Sequence, residues 1–258
     1  MIILFKKARW AAGLAVLALG IPAFSQKEAP LSTPGTVPDT AEAAALAGDI
    51  LGRINKAFRT LLDSDAQGFE AVYVLAVDGQ TWGDVSVSWS RESGSTEAKF
   101  RPAAGRPADS EQTIRDIEFF VADNVGENAG HLDLRPSMRC LRRGDWWIVD
   151  DLAPAADTRL VRWRLVTSAD LSEAAISLAY ADGARRDIEY KGRRVGDGYV
   201  LGTKVDRYPV TGLVFKTDYG YSLQAGRLFV QSLRSGRTAP GAAGETLLAV
   251  DLQSVTFR

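Results

Sequence analysis

The chain has 258 residues, 46% of them hydrophobic and 24% charged, with 31 Lys and Arg against 32 Asp and Glu. That is a globular composition, which excludes a disordered tail, a collagen and a disulfide scaffold. A formal net charge of −1 removes the broad electrostatic case for nucleic-acid binding. One His and one Cys exclude multi-His and multi-Cys metal sites and any internal disulfide.

Residues 1–25 read as a secretory signal peptide. Lys6, Lys7 and Arg9 form a positive start, Ala11 to Ile21 is uncharged and mainly apolar, and Pro22 ends any helix. Ala23-Phe24-Ser25 then places small residues where a signal peptidase reads, so cleavage is expected after Ser25. The apolar run from Trp10 to Phe24 is shorter than the ~20 residues a bilayer crossing needs. A mature protein without a membrane span, in the periplasm or secreted, is expected. Cleavage removes three positive charges and takes the net charge from −1 to −4. Cys140 is then a lone thiol, read as a small buried hydrophobe, although Arg139 and Arg142 flank it.

Lys27 to Asp39 holds Pro30, Pro34, Gly35 and Pro38 and reads as an extended leader. Asp39 and Glu42 resemble a capping pair, after which Leu46, Ile50, Ile54, Ala57, Phe58 and Leu61 recur at three- and four-residue steps. This predicts one amphipathic helix from about Thr40 to Leu62, the only long helix expected in the mature chain.

The period then drops to two. Phe69 to Val77 is β-rich and ends at Asp78-Gly79, a hairpin signal. Val85, Val87 and Trp89 alternate with Ser86, Ser88 and Ser90, which predicts a strand with one face on a core. Thr96 to Arg101 returns as a third strand, and residues 101–113 read as a loop. Ile117 to Ala122 reads as a strand or a short helix, the strand being favoured. Arg139 to Val149 predicts a hairpin turning at Gly144-Asp145, followed by an acidic loop from Asp150 to Asp157. Val161, Trp163 and Leu165 alternate with Arg162 and Arg164.

Short strands are predicted at 175–181, 185–190, 199–208, 213–216, 221–223, 228–233 and 247–257. Turns at this spacing suit a sheet curled into a barrel or half-barrel. The expected fold is therefore mainly β: a curved antiparallel sheet, an incomplete barrel, with the amino-terminal helix on its concave face. Residues 40–258 form a single domain.

Catalytic constellations are thin. His131 is the sole histidine, and Gly220-Tyr221-Ser222-Leu223-Gln224 lacks the final Gly of a nucleophile elbow. Gly196 to Gly202 has nucleotide-loop glycines but lies between strands and opens no helix, so it reads as a hairpin turn. Asp150-Asp151 could suggest paired carboxylates, but adjacent residues on a strand point to opposite faces and would need an unusual turn to cooperate, so the pair reads as part of a solvated loop or a helix cap. No cofactor, metal or catalytic residue is expected.

Arginines recur on or beside strands, at 139, 142, 143, 159, 162, 164, 185, 186, 193 and 194. They read as a polar sheet face balanced by carboxylates, or as guanidinium groups at the rim of an apolar cavity, where an acidic head group would meet them. The tryptophans of the mature chain are Trp82, Trp89, Trp146, Trp147 and Trp163. Together with Phe58, Arg162 and Arg164 they are the candidates for lining a ligand cavity.

Asp187-Ile188-Glu189-Tyr190, Gly192-Arg193-Arg194-Val195, Asp197-Gly198-Tyr199-Val200-Leu201 and Thr203-Lys204-Val205, behind a signal peptide and an amphipathic helix, resemble the periplasmic lipoprotein-carrier and lipoprotein-sorting superfamily. Gly202-Thr203 stands where members carry a Pro-Ser or Pro-Thr pair. The resemblance implies a half-barrel with helices closing an apolar concave face that receives acyl chains. A curved sheet only partly covered by one helix would also leave apolar surface open to water. The expected function is a non-catalytic carrier for a lipid or lipoprotein acyl chain. The alternative is a secreted β-domain that docks onto an envelope protein partner.

Overall fold

The computed structural model describes residues 36–58, 60, 64–105, 110–126, 132–154, 159–241 and 244–258. The predicted signal peptide, most of the leader and His131 lie outside the described residues.

The first helix, α1, spans Ala41–Ala57. Its cap is Thr40, not Asp39: the Thr40 hydroxyl accepts a bond from the Ala43 N–H at 3.2 Å. Asp39 is drawn instead to Arg139, at 2.7 Å. The helix also stops short of the predicted Leu62. Phe58 turns to extended backbone, bridges to Tyr199 and packs its ring 5.8 Å from that residue's ring. A tertiary contact overrides the helical pattern there.

Three strands follow in a meander: β1 (Gly68–Val77), β2 (Gln80–Ser90) and β3 (Thr96–Pro102). Asp78 and Gly79 both carry positive φ (49° and 79°), as a two-residue hairpin matched to the strand twist requires. Val85, Val87 and Trp89 are buried as the alternation predicts.

Residues 111–126 depart from the prediction. They form a second helix, α2 (Glu111–Gly126), where a loop end and a strand were expected. Ile117, Val121 and Val125 fall at four-residue steps on one buried stripe, a period that the window Ile117–Ala122 was too short to reveal. Ser110 starts the helix, its hydroxyl accepting from the Thr113 N–H at 3.1 Å.

Nine further strands run on as hairpins: β4 (Met138–Arg143), β5 (Trp146–Asp151), β6 (Leu160–Ser168), β7 (Glu173–Tyr180), β8 (Arg185–Val195), β9 (Gly198–Tyr208), β10 (Leu213–Gln224), β11 (Arg227–Thr238) and β12 (Thr246–Phe257). Strand β5 continues through Asp150 and Asp151, which were expected in a loop, because both carboxylates find cross-strand or loop partners. The predicted strands at 213–216 and 221–223 are one strand, β10, whose register with β11 shifts between Gly220 and Tyr221.

All twelve strands belong to one antiparallel sheet, ordered β3-β2-β1-β12-β11-β10-β9-β8-β7-β6-β5-β4. The sheet is half-barrel-like and unclosed, with β3 and β4 as its edges. It is mainly neighbour-on-neighbour, except that β1 pairs with β12 and brings the two ends of the chain together, Phe69 opposite Phe257. The stretch from β3 to β4 therefore leads from one edge of the sheet to the other, and it contains α2.

Cross-strand register carries one face continuously from β4 to β11. Cys140 lies opposite Val149, Val149 opposite Leu165, Leu165 opposite Ile176 and Ile176 opposite Ile188. The row continues through Asp206, Phe215 and Arg237. Both helices pack on this inner face. Helix α1 lays Ala47, Ile50, Leu51 and Ile54 over Met138, Cys140, Val149, Trp163 and Leu165. Helix α2 lays Ile117, Val121 and Val125 over a cluster built from Tyr73, Leu75, Val85, Val87, Leu233 and Val250. A third, small cluster of Val37, Ile148 and Val166 sits on the outer face. The single-helix expectation is thus corrected: a second helix covers the half of the inner face that α1 leaves.

Candidate functional site

Between the two apolar clusters the inner face is charged. On β8 and β9 the period-two alternation places Arg186, Lys204, Asp206 and Tyr208 inward. Lys204 is 1% exposed and Asp206 7%. Helix α2 adds Asp123 one residue before the buried Asn124.

One oxygen of Asp123, Oδ2, accepts from Lys204 Nζ at 2.8 Å and from Arg186 at 3.0 Å. Asp206 completes the cluster, accepting from Arg186 Nε at 2.8 Å and lying 3.3 Å from Lys204 Nζ. Arg186 also lies over the Tyr208 ring, 5.8 Å from its centre. Beside the cluster, Tyr219 donates to Asn124 Oδ1 at 2.6 Å, and Thr217 donates to Ser235 at 3.0 Å. Buried polar groups are costly unless paired, and here each named group has a partner.

Burial pushes the Asp123 carboxyl up, but the nearby Lys204 and Arg186 charges outweigh this and hold it below the ordinary carboxylate value. Burial alone would lower Arg186, whereas Asp123 and Asp206 raise it further above the ordinary arginine value. Asp123 has a lower value folded than the ~3.9 of an unfolded Asp, so its contribution is fully present above that pH. It is lost as pH falls through the folded value. Asp123→Asn is expected to flatten the acid limb of the stability curve below about pH 4. Urea unfolding across pH 2.5–7 (about the accessible range) measures this, and an unchanged limb would count against the pairing.

The residues expected to line a cavity do not form one site. Trp147, Trp163 and Phe58 join the α1 cluster, while Trp82 and Trp89 join the α2 cluster. Trp146 packs with the small outer-face cluster. Arg164 is buried on that same outer face, gripping Asp150 with two bonds of 2.6 Å each. Arg162 is exposed to solvent. Two residues before Arg164, it lies on the same outer face, while Trp163 and Leu165 take the inner one. Adjacent to Asp150 on β5, Asp151 points to the opposite face and pairs with Arg135 at 2.7 Å.

The residues that sequence reasoning missed are Asp123, Lys204 and Asp206. Arg186 was noted only as part of an arginine run. Lys204, Asp206 and Tyr208 alternate correctly for one strand face, but a charged face ordinarily reads as the solvent side. Asp123 lay outside the segment read as a strand.

Cys140 is buried under α1, and burial pushes its thiol up to about 12. Relative to a free thiol near 8.5, its thiolate fraction at pH 8 is lower by roughly a thousandfold. Native protein should therefore resist Ellman's reagent and yield one reactive thiol after denaturation. Fast reaction of the native protein would mean that α1 lifts from β4.

A groove of about 330 Å3 lies elsewhere, on the outer face of β1, β2, β3 and β12, among Glu70, Ser86, Ser88, Glu97, Lys99 and Ser254. Its lining is mostly hydroxyls and charges, with Ala71, Val72 and Val87 between them. Among the described residues no group of three or more His, Cys, Asp or Glu side chains is placed to hold a metal ion, and no helix is long and apolar enough to cross a membrane. Scanned against family models, curated proteins and solved structures, the chain matches none.

Proposed function

We propose that the protein is a non-catalytic periplasmic carrier for an amphipathic ligand, a lipid or a lipoprotein acyl chain. The observation that carries this reading is the division of the inner face. Two helices from different parts of the chain cover two separate apolar clusters, and α2 reaches across to β8 and β9 through a charged side chain.

Helix α2 is a cover that no strand pairing depends on. If it shifts, Tyr73, Leu75 and Val87 on the sheet remain a ready apolar floor. A twelve-carbon chain laid there would gain about 10 kcal/mol at ~0.8 kcal/mol per buried CH2. The chain would rebury the floor that α2 covers. The carrier reading also agrees with the predicted signal peptide, which would direct the protein to the envelope.

The test is native mass spectrometry and lipid extraction of the purified protein, with uptake of a fluorescent fatty acid measured alongside. One acyl ligand per chain is expected. Repeated absence of bound lipid together with no uptake would overturn the carrier reading and favour docking onto an envelope protein, which crosslinking in cells would then reveal.

A further inference from the structure

We propose that Asp123 is a built-in occupant of an oxyanion site on the inner face, and that an amphiphile with a carboxylate or phosphate head group binds by displacing it. The inference rests on the carrier reading and adds to it the charge of the ligand and the step that opens the site.

Geometry supports it first. A single oxygen of Asp123 takes bonds from an ammonium and a guanidinium, at 2.8 and 3.0 Å, and these two donors come from adjacent strands of the rigid sheet. The donors are fixed by the sheet, whereas the acceptor arrives on a helix. Two convergent cationic donors on one oxygen are what a carboxylate or phosphate head group would need. Nothing in that arrangement requires the oxygen to belong to the protein.

Charge supports it second. Asp123, Asp206, Arg186 and Lys204 are two negative and two positive groups. Withdrawing α2 takes one negative charge from the set and leaves the buried Lys204 and Arg186 one charge less compensated. A neutral or cationic ligand cannot restore the balance, while an anionic head group restores it at the same atoms. Leaving a buried charge uncompensated is strongly unfavourable, so the site selects for ligand sign.

Position supports it third. Asp123 lies three residues beyond Phe120, on the same face of the helix, and Phe120 packs against the α2 cluster. An anionic head group held at Lys204 and Arg186 would therefore have its tail beside the edge of that cluster. The head and the tail would replace, respectively, the carboxylate and the apolar stripe of the same helix.

The experiment compares the wild type with Asp123→Ala, using laurate, dodecyl phosphate, dodecyl maltoside and inorganic phosphate as probes in calorimetric titrations. Expected are laurate and dodecyl phosphate binding at least about tenfold tighter than the maltoside to the wild type. In Asp123→Ala the affinity for both anions should rise by a further factor of about ten, with the maltoside unchanged. Equal binding of charged and neutral amphiphiles by both proteins would overturn the inference and leave the carrier reading standing. Inorganic phosphate binding to Asp123→Ala alone, with no amphiphile bound, would uphold the oxyanion site and remove the acyl-chain reading. No binding of any probe would remove both. Should Asp123→Ala not fold, hydrogen exchange on the wild type decides: laurate should speed exchange of the α2 amides from Ile117 to Gly126 and leave α1 unchanged, and an unchanged α2 would overturn the proposal.

Discussion

Lys204→Met is expected to destabilise the protein by about 3–5 kcal/mol, because it removes one partner from a buried ionic cluster and leaves the others in place. Lys204 is 1% exposed and bonds to Asp123 while lying close to Asp206. Methionine fills much of the space of the lysine stem, so the loss is electrostatic and not a cavity effect. Arg186 would then face two carboxylates alone, and one buried negative charge would lack a counterion. Urea unfolding at pH 7 measures the change. A loss below about 1 kcal/mol would mean that water reaches the cluster and screens it, as at an exposed pair. Adding Asp123→Asn to Lys204→Met should recover part of the loss, since it removes the surplus negative charge.

The second large effect is expected at Phe69→Ala, which should cost about 3–5 kcal/mol. Phe69 is 1% exposed and stands between Trp89 (ring centres 6.0 Å apart) and Phe229 (4.9 Å, edge-to-face). Phe229 in turn meets Phe257 at 5.5 Å. These rings belong to β2, β1, β11 and β12, so the truncation opens a cavity at the junction where the first and last strands pair. Aromatic pairs add about 0.5–1.5 kcal/mol beyond the area they bury, which places this site near the top of the range. Chemical denaturation gives the magnitude, and loss of near-ultraviolet dichroism from Trp89 checks that the stack is what was disturbed. A cost near that of an ordinary surface change would show that the rings repack around the gap.

Much of the architecture was legible in the residues. The strict alternation of Val85, Val87 and Trp89 with serines, and the turn at Asp78-Gly79, are local signals that tertiary structure had no reason to override. Helix α1 was equally clear from Leu46, Ile50 and Ile54, although Phe58 left the helix to meet Tyr199. Helix α2 was hidden because its stripe is narrow: Ile117, Val121 and Val125 are separated by polar and aromatic residues that mimic a strand over six positions. The charged seam was the hardest to read. Asp123 is far in sequence from Arg186, Lys204 and Asp206, and each looks like an ordinary solvent-facing charge until the crossing helix is laid over it. Arg164 and Arg162 misled for the related reason that arginine spacing says nothing about which side of a sheet is covered.

The pairing of β1 with β12 has a consequence for how the molecule forms. Phe69 meets Phe257 and Leu75 meets Val250, contacts that close a loop of nearly the whole described chain. Such distant pairings carry a large closure entropy and slow the search for the native arrangement. The opening hairpins, with Tyr73 and Leu75 on a sticky side, must therefore wait for residues 246–257 before β1 loses its free edge. During that wait the chain is exposed to association with itself, and a holding chaperone that binds the β1–β3 region would have most to act on.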